Sequence, residues 1–120
     1  MVSTYERKRG TAIVETSKGI LVVRSHNAKF LLPGGGVKGG ESRIEAAIRE
    51  LREETSLIAY EVKHLFNFKQ SKVFLIKTNG TPHPRHEIAH VGFYSPGSSL
   101  QLSFDTIQII QEYWNIKKSR

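Results

Sequence analysis

Glu50, Glu53 and Glu54 stand close together in a chain that is otherwise basic, and with Glu41 and Glu45 they place five acids between positions 41 and 54. On a helix turning about 100° per residue, setting Glu50 at zero puts Glu53 near 300° and Glu54 near 40°, so the three carboxylates share an arc of about 100°. Ile44, Ala47, Ile48 and Leu51 recur at helical spacing and centre an apolar stripe about 110° away. One helix can thus dock on a core and still present clustered acids to a cleft. Like charges this close repel, and a hard divalent cation removes the conflict. Oxygen donors, with no Cys in the chain and no His at helical spacing here, suit Mg²⁺ or Mn²⁺ rather than Zn²⁺.

Other elements must hold this helix in place. Ser42 followed by Glu45 is a capping-box pair, so the helix is expected to start near Ser42 and to end near Thr55. Before it, Pro33 to Gly40 is so rich in Gly that it reads as a loop, entered from an extended piece, Lys29 to Leu32. Thr11 to Glu15 and Ile20 to Arg24 read as a hairpin, while Ile58 to Phe68 and Lys72 to Thr78 read as a second strand pair turning at Gln70 and Ser71. After a Gly- and Pro-containing loop from Asn79 to Pro84, His86 to Tyr94 returns as a strand. Ser103 is the expected N-cap of a final helix with Phe104, Ile107, Ile110, Tyr113 and Trp114 turned inward, followed by a frayed tail from Lys117.

A length of 120 residues fits one domain, expected over positions 1–120, with a core that needs no staples. The absence of Cys excludes disulfides and thiolate metal sites, and a reducing cytoplasm is the expected compartment. Met1 to Thr11 carries basic residues without a following signal-like apolar stretch, and no run is long enough to span a membrane. The net charge is +7, and outside positions 41–54 the chain holds 15 basic against six acidic residues. That excess of +9 would draw a highly charged anion toward the acidic helix.

Gly35, five residues, Glu41, seven residues, then Arg49-Glu50-Leu51-Arg52-Glu53-Glu54-Thr55-Ser56-Leu57 resembles the box of the Nudix hydrolase family. Every charged position and both aliphatic ones agree, and the departure is Ser56 where the family carries Gly. Phe30-Leu31-Leu32-Pro33-Gly34-Gly35 also resembles the family's approach to the box. Because the family's Gly sits where the chain leaves the helix, Ser56 is expected in a left-handed conformation at a modest cost.

The resemblance implies an α/β/α sandwich in which a mixed β-sheet lies between helices and the box forms a loop-helix-loop at a cleft. It also implies hydrolysis of a nucleoside diphosphate linked to another group, by metal-activated attack of water on phosphorus. By the family's pattern Glu53 and Glu54 are metal ligands, Glu50 is a ligand or the general base, and the Gly34 carbonyl is a further ligand. Gly35 lets backbone approach closely, while Arg49 and Glu41 orient the acids. Glu87 resembles the acid that some members bring from the strand opposite the helix. Lys69, Lys72 and Arg85 are candidate phosphate contacts. No subfamily signature for coenzyme A, NADH, ADP-ribose or diadenosine polyphosphates is evident, which leaves a nucleoside triphosphate or related polyphosphate as the leading substrate. The alternative is a catalytically weak nucleotide- or RNA-end-binding module, disfavoured because no box acid is missing and no aromatic-plus-basic platform accompanies the charge.

Overall fold

A computed structural model of the chain describes residues 7–119, so the reading of Met1 to Thr11 lies partly outside the described residues. The elements are β1 (Arg9–Ile13), β2 (Glu15–Thr16), β3 (Gly19–Arg24), β4 (Gly34–Gly36), α1 (Arg43–Thr55), β5 (Ile58–Phe68), β6 (Ser71–Asn79), β7 (His90–Tyr94) and α2 (Phe104–Lys118). One sheet runs β4-β1-β6-β5 and a second runs β2-β3-β7. The first is mixed, because β1 lies parallel to β6 and antiparallel to β4.

Strand alternation sends neighbouring side chains to opposite faces, and here it builds two cores. Ile13, Ile20, Val22 and Val73 pack with Ile109, Ile110 and Tyr113 of α2. Their neighbours Ala12, Leu21 and Phe74 pack with Ala47 and Leu51 of α1. The result is the expected α/β/α arrangement, with strands between two helices. Helix α1 comes unusually close at Gly10, where an added Cβ would collide with the Arg43 carbonyl and the Ala47 amide. That contact fixes how far α1 and its acids stand from β1.

Several local expectations need correction. The first hairpin is shorter than its apolar pattern, because β1 belongs to the mixed sheet and only β2 turns back on β3. Gly34–Gly36 is a short strand rather than loop, pairing its backbone with Arg9 to Thr11. On α1 the buried residues are Ala46, Ala47, Leu51 and Thr55, whereas Ile44 is exposed. On α2 the inward stripe is Thr106, Ile109, Ile110 and Tyr113, and Phe104 is 71% exposed. Thr106 is the polar member that an apolar count overlooks, and its hydroxyl accepts from the Leu32 amide at 3.4 Å. Of the expected frayed tail, Lys117 and Lys118 belong to α2 and Arg120 lies outside the described residues; Lys117 Nζ reaches Glu15 at 2.7 Å.

Candidate active site

The loop-helix segment is built by local chemistry. Ser42 caps α1 by accepting from the Glu45 amide at 3.2 Å, while the Glu45 carboxylate accepts from the Ser42 amide at 2.8 Å. At the other end Ser56 adopts φ +68° and its amide donates to the Arg52 carbonyl at 2.8 Å. Ser therefore occupies the left-handed position expected of the family's Gly, at a cost of about 1 kcal/mol. The adjoining loop is strapped to this exit, since the His83 and Arg85 amides donate to the Thr55 and Glu54 carbonyls at 2.9 and 3.0 Å.

Arg49 is the hub of the acids. Its guanidinium donates to both oxygens of Glu41 at 2.7 and 3.0 Å, to Glu53 at 3.1 Å and to the Gly36 carbonyl at 3.1 Å, and lies 3.3 Å from Glu50. The bidentate pair, helped by the Lys38 amide, holds Glu41 down to about 2. Glu50 lies over Gly35, where an added Cβ would strike its carboxylate, so a side chain at the first Gly of the box would displace Glu50 from this position.

Glu54 is in the opposite condition. Burial pushes its carboxyl up to about 8, with the negative charges of Glu50 and Glu87 adding to the rise while the Gly34 amide and Arg9 oppose it. The Gly34 amide donates to Glu54 at 3.2 Å, and among the described residues no side chain forms a salt bridge with it. Glu54 and Gly34 line a cleft of about 700 Å³ that is also bordered by Arg9, Phe68, Lys69 and Phe104.

The donor set fits a hard cation, being oxygen-based and anchored by a half-buried carboxylate that lacks an ion-pair partner among the described residues. Among the described residues no three acidic or histidine side chains already converge on one point. Glu50 and Glu53 are turned onto Arg49, which holds the place of a cation, so closing them on an ion requires rotation of their side chains.

Not every expected residue gathers here. Lys69 lines the cleft, but its Nζ is paired with Asp105 at 3.0 Å. Arg85 reaches the site through its backbone amide, and its side chain is exposed. Lys72 borders a different pocket altogether. Glu87 is exposed on a turn, not on a strand, because β7 begins only at His90. It is nevertheless near enough for its charge to raise Glu54. Sequence reasoning missed Arg9, Phe68 and Phe104. Gly10 was the usable signal for Arg9, since Gly within a strand marks a close backbone approach, here to α1, and alternation then turns the Arg9 side chain to the opposite face, where the cleft lies.

Fold and site together define a hydrolase acting on phosphoanhydride bonds. The chain belongs to the NUDIX family, whose domain model matches residues 5–111. It is 31% identical over 121 residues to an ADP-ribose pyrophosphatase of Methanocaldococcus jannaschii, covering 88% of this chain and 71% of that protein. A nudix hydrolase family member from Chromobacterium violaceum superposes with a TM-score of 0.85 at 35% identity, over 93% of this chain and 80% of the other. An ADP-ribose pyrophosphatase from Streptococcus suis shares the fold with a TM-score of 0.69 at 22% identity, over 96% and 92% of the two chains. No described helix is long and apolar enough to cross a membrane.

Proposed function

We propose that this chain, as a single domain, is a divalent-cation-dependent pyrophosphohydrolase. It cleaves a nucleoside diphosphate linked to another group, with a nucleoside triphosphate or related polyphosphate as the leading substrate. The observation that carries this reading is Glu54, a half-buried carboxyl raised to about 8 in a cleft beside Gly34, with Glu50 and Glu53 about one helical turn or less away.

In this reading Glu53, Glu54 and the Gly34 carbonyl would hold Mg²⁺ or Mn²⁺, Glu50 would stand beside them as a ligand or the general base, and Glu87 would join from the adjoining turn. A bound divalent ion neutralises phosphate oxygens and lowers the pKa of the attacking water. A box carboxylate then takes the water's proton, and Glu50 is the one assigned, because Arg49 holds it against the Gly35 backbone. Arg49, fixed by Glu41, bridges Glu50 and Glu53 through a single guanidinium nitrogen and so holds the two carboxylates together. Arg9 supplies positive charge along the cleft for the phosphate chain, Lys69 would have to leave Asp105 to add to it, and Phe68 and Phe104 offer apolar surface for a base.

A second substrate reading, ADP-ribose, is favoured by the activity named for the M. jannaschii relative. One assay decides between the two. Release of phosphate from a panel of nucleoside triphosphates, diadenosine polyphosphates and ADP-ribose, coupled through pyrophosphatase or phosphatase, should give Mg²⁺-dependent turnover strongest on a triphosphate. Preference for ADP-ribose would replace the leading substrate, and no turnover on any member under Mg²⁺ or Mn²⁺ would reject hydrolysis in favour of a binding module.

A further inference from the structure

Lys72 was expected at the substrate, yet it helps line a separate pocket of about 440 Å³ beside the first turn of α1. The register explains this displacement. Lys72 lies opposite Gly10 in the parallel β1-β6 pair, and Gly10 is where the Arg43 backbone presses on the sheet. Lys8 arrives from the residue before β1, its carbonyl accepting from the Val37 amide at 2.9 Å. Three cations from three separate stretches of chain, Lys8, Arg43 and Lys72, therefore border one hollow.

Among the described residues none of the three forms an ion pair. Arg43 Nε is shut from solvent without a hydrogen-bond partner, an arrangement that folded proteins seldom leave unexplained. Glu41 also borders the hollow, but its oxygens are engaged by Arg49 at 2.7 and 3.0 Å and by the Lys38 amide at 3.0 Å. His64 closes another side with its ring 5.5 Å from that of Phe74 and its Nε2 2.9 Å from Asn67 Oδ1. The N-terminus of α1 adds partial positive charge at the same place.

We propose that this pocket is a second anion site, taking free inorganic phosphate or pyrophosphate separately from the catalytic cleft. A compact, multiply charged oxyanion would relieve the repulsion among the three cations and give the Arg43 side chain an acceptor. The proposal does not depend on which substrate the cleft cleaves.

Titration calorimetry with inorganic pyrophosphate, in a chelator and at physiological ionic strength, tests it, because removing divalent ions suppresses binding through the box acids. Saturable binding is expected, weakened at least about tenfold in Lys8→Ala/Lys72→Ala and unchanged within about twofold in Arg9→Ala/Lys69→Ala. Absence of saturable binding, persistence of binding in the Lys8/Lys72 variant, or equal loss in both variants would each overturn the proposal. Thermal unfolding checks that the variants are folded, and the single substitution Lys72→Met carries the test should the double variant prove unstable.

Discussion

At the loop end of the box Glu41 meets Arg49 through both oxygens and is held down to about 2, whereas at the exit of α1 burial pushes Glu54 up to about 8. The same side-chain type, thirteen positions apart, is driven in opposite directions. One end brings its own counter-cation and is electrostatically complete. The other leaves a carboxyl that is costly to ionise, which is the condition a site that takes up an external cation should be in. Arg49 links the two, since the guanidinium that satisfies Glu41 also touches Glu50 and Glu53. The loop end is thus the fixed frame and the exit end the responsive part.

The sharpest way to break this contrast is at Glu53, which lies between the two ends. Glu53→Gln should lower turnover by more than about a hundredfold with little loss of folding, checked by steady-state assay and circular dichroism. Near wild-type turnover under Mg²⁺ would remove Glu53 from the chemistry. At the fixed end, Glu41→Gln should cost less, about ten- to a hundredfold in turnover, because it acts only by freeing Arg49. A loss as large as that of Glu53→Gln would show that the frame takes part in the reaction directly.

The responsive end can be read through pH in the metal-free protein. Glu54 titrates near 8 when folded against 4.5 for an ordinary glutamate, so between those values the folded state holds a proton that the unfolded state releases. Stability should therefore fall as pH rises from about 4.5 to about 8, by something of the order of a few kcal/mol. Urea unfolding of chelated protein at pH 5 and pH 8.5 should show this decline in the wild type and its absence in Glu54→Gln. A wild type equally stable at both pH values would mean that Glu54 is better solvated than the cleft suggests. The smallest effect is expected at the helix exit itself. Ser56→Gly should raise the unfolding free energy by about 0.5–1 kcal/mol by relieving the φ of +68°. A loss of stability would mean that chain entropy gained by the unfolded state outweighs that relief.

What the sequence determined by itself is the helix from Ser42 to Thr55, and the reason is that the interactions that form it are short-range. The capping pair spans three residues and the Arg49 to Glu53 contact one helical turn, so periodicity and spacing suffice to place them, while the left-handed exit at Ser56 followed from the family's Gly at that position. The α/β/α arrangement with its two cores was expected from the family resemblance, since alternation alone reads the first two strands as a hairpin and not as members of two sheets. Only the tertiary structure decided which residues far along the chain meet the box. Pairing of β1 with β6 sets Arg9 opposite Ser71 and Gly10 opposite Lys72, which sends Arg9 into the cleft and Lys72 out of it. Docking of the 83–85 backbone on the end of α1 brings the Glu87 turn near Glu54, although no strand carries it. The phase of α2 was decided by Thr106 burying against Leu32, which turned Phe104 outward. Each of these outcomes rests on contacts between residues tens of positions apart, where backbone register and close packing choose among partners that composition and spacing leave equivalent.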